Sequence, residues 1–253
     1  MRKGISIILI IICAIVFGVS AYQLISYYSS AKAAEKEFTN LLPEGLGDAD
    51  AASGENGGIG YEEMLPYYKG LREENNDMVG WLRIPGTRIS YPVMQTPSAP
   101  EFYLRKNFKK EFEMNGCLFA SHISDVELPS DVVLIYGHRM RSGTMFGSLG
   151  DLLKEEFLDE HDTIIFDTFV RRNEYKIYCL FSEQVETGSE FDYYNYVNFG
   201  VQEAFDMFMS NMKPHISISL PENEPKFGDK ILLLSTCEYT HENGRLVVVA
   251  VRQ

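Results

Sequence analysis

The most prominent hydrophobic pattern is an unbroken apolar run near the N-terminus. Residues 7–19 carry no polar side chain, and no charged residue occurs between Lys3 and Lys32. A helix rises about 1.5 Å per residue, so about 20 residues cross the hydrocarbon core of a bilayer. Residues 5–28 are therefore predicted to form a transmembrane helix, with interfacial tyrosines near its end.

Charge next to this run predicts its orientation. Arg2 and Lys3 precede it, whereas the charges within residues 32–37 nearly cancel. The positive-inside rule places residues 1–4 in the cytoplasm and the remaining chain outside, which gives a single-pass protein of the cell membrane. The alternative is a cleaved signal peptide, because Ala31–Ala33 is A-x-A-like. Under both interpretations the bulk of the chain is exported.

The pattern then changes twice. Residues 29–42 are polar and helix-prone, and residues 43–60 contain six glycines and four acidic residues with almost nothing large to bury. This composition predicts a flexible extracytoplasmic linker over residues 29–60. From Tyr61 aromatic and β-branched residues become frequent, so residues 61–253 are predicted to form the folded domain.

Short apolar or alternating runs, separated by Gly, Pro, Asn and Asp, predict eight strands in this domain. They are Val79–Ile84, Ile89–Met94, Gly116–Ser121, Val132–Tyr136, Thr163–Asp167, Tyr175–Ser182, Lys230–Thr236 and Arg245–Arg252. Helical spacing predicts helices over residues 61–77 with a break around Pro66, Phe146–Glu160 and Val201–Met212. The expected fold is mostly β, a mainly antiparallel eight-stranded barrel with helical insertions.

Composition narrows the class of protein. Hydrophobic residues make up 45% of the 253 residues, which excludes global disorder. Lys and Arg total 23 against 36 Asp and Glu, a net charge of −13. An acidic excess of this size argues against nucleic acid as a partner, since binding to phosphates requires basic charge.

Of the four cysteines, Cys13 lies in the apolar run and Cys117 and Cys179 lie inside predicted strands. The latter two are expected to be small buried hydrophobes. The cysteines lack zinc-ligand spacing, and neither a metal nor another cofactor is expected. Cys237 differs, because it ends the apolar strand ILLLST and precedes a polar run. It is either a reachable nucleophile or a free cysteine at a strand end.

A nucleophilic thiolate needs a base or a nearby positive charge. His138 follows the strand DVVLIYG, where a base is held at a barrel rim, although a loop histidine is an equal interpretation. His161 and His215 are expected at the surface. Arg245 opens the next strand after a short turn, so it is expected at the same end of the barrel as Cys237. Arginine suits oxyanion stabilisation, but a strand-start arginine is ordinarily a solvated cap.

These runs resemble the signature of sortases, membrane-anchored cysteine transpeptidases of Gram-positive bacteria. The matching runs are LLSTCEYT around Cys237, NGR with Arg245, YGHRM around His138, residues 75–95, YLRKNF at Tyr103–Phe108 and a helix-containing segment at residues 188–214. The last three are similar to the class B branch. The resemblance implies the eight-stranded sortase barrel and an extracytoplasmic active site.

The resemblance also implies roles. Cys237 would be the nucleophile, His138 the general acid and base, and Arg245 the oxyanion and substrate-positioning residue. Substrate-binding candidates are Ser235, Thr236, the backbone N–H of Glu238, Tyr196, Val197 and Asn107. For Tyr196 and Val197 ordinary aromatic packing is the alternative. No metal is expected, because the segment from residue 188 to 214 lacks a compelling acidic cluster.

The partners implied are surface proteins that bear a C-terminal sorting motif and a cell-wall peptide amine of the lipid II type. The motif would be cleaved through a thioacyl intermediate and the protein transferred to that amine. The alternatives are a sortase-fold pilin polymerase, a hydrolytic cysteine peptidase and a non-catalytic tethered surface module. All three candidate catalytic residues are present, which argues against the last of these.

Overall fold

The structure is a computed structural model that describes residues 2–42, 60–184, 191–237 and 244–253. Nine strands and four α-helices lie within these ranges. The strands are β1 (Met78–Arg83), β2 (Ser90–Met94), β3 (Leu118–Ala120), β4 (Val132–Gly137), β5 (Thr163–Thr168), β6 (Arg172–Gln184), β7 (Ile216–Ser219), β8 (Ile231–Cys237) and β9 (Gly244–Arg252). The helices are α1 (Arg2–Thr39), α2 (Tyr61–Glu74), α3 (Glu155–Glu160) and α4 (Gln202–Met212).

Eight of the strands close into a barrel. Their order is β5-β1-β2-β3-β4-β8-β9-β6, and pairing of β6 with β5 completes the ring. This confirms the predicted eight-stranded barrel. β7 pairs with β6 outside the ring. It was not predicted from the sequence, because the strand has only four residues and all of them are at least partly exposed. Two of the pairings, β2–β3 and β4–β8, are parallel and the remaining ladders are antiparallel.

Two hydrophobic cores lie on either side of the barrel wall. Alternate residues of β8 and β9, such as Leu234 and Val248, fill the barrel interior. Their neighbours, such as Leu233 and Val249, pack outward into a second core that includes α4. Since both faces of these strands are buried, their sequences read as continuous apolar runs. The Phe and Met stripe of α4 is core, as predicted.

Two predicted helices differ from those observed. α2 runs through Pro66 without a break. Pro66 has no N–H and cannot donate the helical hydrogen bond to the carbonyl of Glu62. Both residues are exposed, so water can donate to that carbonyl instead. The predicted helix at 146–160 is a 3₁₀ segment over Phe146–Leu153 followed by α3, because the backbone of Lys154 is extended.

α1 continues well beyond its apolar run. Residues 29–39 were predicted to be helix-prone and part of a flexible linker; they are helical, but they pack against the barrel. Within α1 the buried positions are Ala31, Ala34 and Phe38, which lie at helical spacing on one face, and the Phe38 ring contacts Tyr91 edge-on. Leu42, shortly after the helix, is also buried. The linker prediction is therefore wrong for residues 29–39, and its part over residues 43–59 lies outside the described residues. Residues 10–25 are mostly exposed apolar side chains, and α1 is long and apolar enough to cross a membrane.

A buried ion cluster ties α2 to the barrel. The carboxylate of Asp167 accepts hydrogen bonds from Arg83 at 2.9 Å, from Arg172 at 2.9 Å and from the Tyr68 hydroxyl at 3.2 Å. The Arg83 and Asp167 side chains are 2% and 0% exposed. Burial raises the pKa of Tyr68, which keeps its hydroxyl protonated as a donor. Charges this deep are stable only when each has a partner.

Replacing Asp167 with asparagine is expected to destabilise the protein by about 3–5 kcal/mol, because Arg83 stays buried without its counter-ion. Urea denaturation of the full-length chain in detergent measures the loss. Asp151→Asn is the matched control, since its ion pair with Lys154 is exposed and contributes under about 1 kcal/mol. Equal unfolding midpoints for the two variants would show that the cluster does not carry this stability.

Candidate active site

The ends of β4, β8 and β9 meet beside a cleft of about 690 Å³. Gly137 and His138 contribute from the end of β4, Ser235 and Thr236 from β8, and Arg245 from β9. The opposite wall comes from irregular segments between strands. The full lining is Pro100, Glu101, Leu104, Arg105, Phe119, Ser121, His122, Ile123, Tyr136, Gly137, His138, Tyr193, Tyr194, Asn195, Ser235, Thr236 and Arg245.

Strand register brings the three predicted catalytic residues to one edge of the barrel. In the parallel ladder of β4 and β8, Gly137 pairs with Thr236, so the next residues along the two strands are His138 and Cys237. In the antiparallel ladder of β8 and β9, Cys237 pairs directly with Arg245. The structure describes Cys237 by its backbone. Neighbouring strands lie about 4.8 Å apart, so the three backbone positions are adjacent.

His138 is held by a backbone carbonyl. Its Nε2 lies 2.8 Å from the carbonyl oxygen of Leu104. A carbonyl only accepts hydrogen bonds, so Nε2 carries the proton and Nδ1 of the neutral ring remains an acceptor. Burial lowers the pKa of His138 and the charges of Arg105 and Arg245 lower it further, against the Leu104 hydrogen bond, which raises it. The site therefore favours a neutral imidazole with Nδ1 as the basic atom.

Packing at Gly137 and the hydrogen bonds of Tyr103 define the surroundings of His138. A Cβ on Gly137 would lie 2.5 Å from Leu118 Cδ2 and 2.6 Å from Phe146 Cδ2, so a larger residue there would require both of these side chains to shift. Leu104 is fixed by its neighbour Tyr103, a buried residue whose hydroxyl donates to Asp77 at 2.8 Å and accepts from Asn75 at 2.8 Å. The Leu104 carbonyl that orients His138 is therefore held in place by the buried hydrogen bonds of the neighbouring Tyr103.

The half-buried Arg245 brings positive charge to the cleft. Its Nη1 donates to the carbonyl of Gly244 at 3.0 Å, which uses one of the five guanidinium N–H groups. Burial raises the pKa of Tyr136, whereas the charge of Arg245 acts in the opposite direction. The guanidinium therefore lies within electrostatic range of both Tyr136 and His138.

Ser235 and Thr236 both line the cleft, as expected from the sequence. The Ser235 hydroxyl hydrogen-bonds the Tyr193 hydroxyl at 2.8 Å. Thr236 Oγ1 is buried and has no hydrogen-bond partner among the residues that the structure describes. A buried hydroxyl in this state is costly, and a bound molecule could satisfy it.

Other predicted binding residues are not brought to the cleft. Asn107 is buried at the contact with α1, where its amide lies 3.2 Å from Glu37 and its carbonyl accepts the backbone N–H of Glu111. Tyr196 packs on Phe208 at 4.9 Å in the second core. The carbonyl of Val197 accepts the N–H of Val132 at 2.9 Å, outside the cleft lining. Glu238 lies outside the described residues.

Sequence reasoning missed neighbours of these residues. Leu104 and Arg105 line the cleft from the same YLRKNF run in which Asn107 was selected. Likewise Tyr193, Tyr194 and Asn195 line it, three positions or fewer before Tyr196. The aromatic residues around Tyr196 indicated that this segment forms a wall of the cleft. Only the observed backbone shows which of their rings face the cleft.

The remaining cysteines and histidines have structural surroundings. Cys117 and Cys179 are buried, as predicted, and burial raises the pKa of both thiols. His161 stacks on Phe157 with ring centroids 4.0 Å apart, and His215 Nδ1 lies 2.7 Å from Glu183 Oε2. Both side chains are partly exposed, which agrees with their expected place at the surface. Within the described residues, His, Cys, Asp and Glu form no group of three or more placed to hold a metal ion.

The chain is similar in sequence and in fold to known proteins. The sortase domain family matches residues 82–253. Sortase B of Listeria monocytogenes is 31% identical over 188 residues, which cover 74% of each chain. The Staphylococcus aureus sortase B–substrate complex superposes with a TM-score of 0.66 at 27% identity, covering 74% of this chain and 85% of that one. Clostridium perfringens sortase B gives 0.66 at 25% identity, covering 73% and 98%.

The matched region includes seven of the eight barrel strands in full and the last two residues of β1, and it contains every residue that lines the cleft. The family match spans more than half of the chain. The relatives named above are all class B sortases, and the solved structures among them share the fold of this chain. The chain belongs to the sortase family of cysteine transpeptidases, in its class B branch.

Proposed function

We propose that this protein is a membrane-anchored transpeptidase. It opens a C-terminal sorting motif in surface proteins and transfers them to an amine of the cell-wall peptide, of the lipid II type. The observation that carries the proposal is the adjacency of His138, Cys237 and Arg245 at the ends of neighbouring strands beside the cleft. α1 would be the single-pass anchor, with its N-terminus in the cytoplasm and the cleft outside.

The first half of the reaction forms a thioester. Nδ1 of His138 accepts the proton of the Cys237 thiol, and the thiolate attacks the carbonyl carbon of the motif's threonine. Arg245 stabilises the oxyanion, together with the backbone N–H of Glu238 that the family resemblance implies. The tetrahedral intermediate collapses as His138 returns the proton to the leaving amine, which departs with the rest of the sorting signal.

The second half reverses these roles with a new amine. The acceptor amine attacks the thioester carbon, His138 removes its extra proton, and the Cys237 thiolate leaves and is protonated. A thioester keeps the acyl group reactive, so an amine can capture it in place of water when the cleft excludes water. Ser235 and Thr236 would contact the peptide, and the unpaired Thr236 hydroxyl supports that role.

Cleavage of quenched sorting-motif peptides by the full-length chain in detergent tests the proposal. Motifs of the NPQTN and LPxTG types are both assayed. Cys237→Ala is expected to abolish cleavage, because it removes the proposed nucleophile and none of the described thiols lines the cleft. Cys117→Ala and Cys179→Ala are matched controls that should retain turnover. Addition of a glycine peptide or hydroxylamine separates transfer from hydrolysis. Retained cleavage in Cys237→Ala, or its loss in a folded Cys179→Ala protein, would refute the chosen nucleophile.

Arg245→Lys is expected to lower kcat/KM about 100-fold or more without unfolding the protein, since a point charge cannot reproduce the guanidinium fork. Steady-state cleavage kinetics measure the change. Arg252→Lys, at the far end of the same strand, is the control. Turnover near that of the wild type in Arg245→Lys would remove Arg245 from the mechanism.

The acid limb of the kcat/KM profile is expected to have its midpoint below the ordinary histidine value of 6.5, because burial lowers the pKa of His138. The neutral thiol–imidazole pair of Cys237 and His138 holds as many protons as their thiolate–imidazolium pair. Activity therefore falls as the pH is lowered only because His138 gains a further proton. Arg105→Gln removes a nearby cation that lowers the His138 pKa, so the substitution raises that pKa and shifts the limb to higher pH.

Lys109→Gln is the control for this shift, because Lys109 is an exposed cation on the same segment and is absent from the cleft lining. Profiles are recorded for the wild type and both variants under identical salt. A limb that moves to lower pH in Arg105→Gln, or that moves equally in both variants, would contradict the assignment of this limb to His138.

A further inference from the structure

A strained residue lies on the loop that follows His138. Met145 has φ 53° and ψ −127°. It is the second residue of a turn over residues 144–147, which the N–H of Gly147 closes on the carbonyl of Thr144 at 2.8 Å. This is the type II′ conformation, in which glycine predominates because it has no Cβ. A methionine keeps such a conformation only where its surroundings impose it.

A hydrogen bond from Tyr91 on β2 supports this conformation. The Met145 N–H donates to the Tyr91 hydroxyl at 3.1 Å, and the two side chains are 1% and 2% exposed. The Tyr91 ring is itself held, because it packs edge-on against Phe38 of α1 with centroids 5.4 Å apart. A buried N–H needs a partner, so the strained turn depends on this hydroxyl.

The turn also holds the backbone of His138. Phe146 follows Met145, and its N–H donates to the His138 carbonyl at 3.0 Å. Arg139 and Met145 form an isolated antiparallel bridge, which closes the loop between them. The His138 ring is bound separately, since its Nε2 lies 2.8 Å from the Leu104 carbonyl oxygen. The direction of Nδ1 therefore depends on one contact at the ring and one at the main chain.

Tyr91 and Met145 do not line the cleft, so neither is placed to touch substrate. We infer that Tyr91 is a positioning residue for His138: its hydroxyl holds Met145 in the strained turn, and the turn holds the His138 carbonyl. This inference rests on the proposed function of His138 as general acid and base. The competing interpretation is a core tyrosine that stabilises the fold and has no effect on the imidazole.

Cleavage kinetics of the full-length chain in detergent separate the two interpretations. Tyr91→Phe is expected to lower kcat about fivefold or more and to change KM less than about twofold, because a displaced base mainly impairs proton transfer. Tyr68→Phe is the matched control, since it also removes a buried tyrosine hydroxyl, one that donates to Asp167 and lies outside the cleft lining. An unchanged kcat in Tyr91→Phe, or the same loss of kcat in both variants, would contradict the inference.

The same substitution in a Met145→Gly background tests whether the strained turn carries the effect. Glycine adopts a positive φ without strain, so the turn keeps its shape with less support from the hydroxyl. Tyr91→Phe is expected to lower kcat less than about twofold in this background. Comparison within one background cancels the cost of removing the methionine side chain. An equal loss in both backgrounds would show that the effect does not pass through the turn, and the inference would be wrong.

Titration of the imidazole gives a second readout. The ring ¹⁵N signals of His138 are followed by NMR in the full-length chain and are identified by their absence in His138→Gln. Burial lowers the pKa of His138, and the charges of Arg105 and Arg245 lower it further. Tyr91→Phe leaves both arginines in place but loosens the buried ring, so the pKa is expected to rise toward 6.5.

This titration needs no turnover, which keeps the inference separate from the proposed function. Tyr68→Phe should leave the His138 pKa unchanged. If the wild type cleaves no sorting peptide, the proposed function fails, and the titration still decides whether Tyr91 positions His138. A His138 pKa that is the same in the wild type and in Tyr91→Phe would overturn the inference.

Discussion

Hydrogen bonding between β4 and β8 is the constraint on which the cleft depends. These strands run parallel and in register, so Gly137 and Thr236 reach the barrel edge together. The residues that follow, His138 and Cys237, acquire their proximity from the backbone ladder and need no direct bond to each other. β9 then adds Arg245 through its own register with β8. A slip of one residue in either ladder would move a residue to the opposite face of the sheet.

The barrel wall supports this edge from both sides. Residues of β8 and β9 alternate between the interior core and the core beneath α4, so each strand is packed on two faces. Side chains at the strand ends therefore project from a backbone that has little freedom to move. Pre-organisation of this kind is what oxyanion stabilisation requires, because donors must already point to where charge develops. The Leu104 carbonyl gives the same fixed orientation to the imidazole.

The contact between α1 and the barrel has a consequence for the proposed anchor. The buried seam of Ala31, Ala34 and Phe38 follows the apolar run on the same continuous helix. If that run spans a membrane, as proposed, the barrel is fixed to its anchor by packing as well as by covalent connection. The height of the cleft above the bilayer would then follow from the helix, since a rigid helix transmits position along its axis.

The sequence determined the elements whose signals are local. Continuous apolar runs located β8 and β9, because both of their faces are buried, and a short turn between them placed Cys237 and Arg245 at one edge. Burial of Cys117 and Cys179 followed from the same strand patterns. These features depend on neighbours within one strand or one hairpin, where side-chain periodicity reports the environment directly.

Only the tertiary structure decided which residues of the irregular segments face the cleft. Leu104 takes that place and Asn107 turns to α1, while Tyr193 lines the wall and Tyr196 packs into the core. The docking of α1 and the pairing of Glu183 with His215 were likewise beyond sequence reasoning. Irregular backbone has no fixed periodicity, so its side chains are oriented by contacts with residues that are distant in the sequence and meet only in the folded protein.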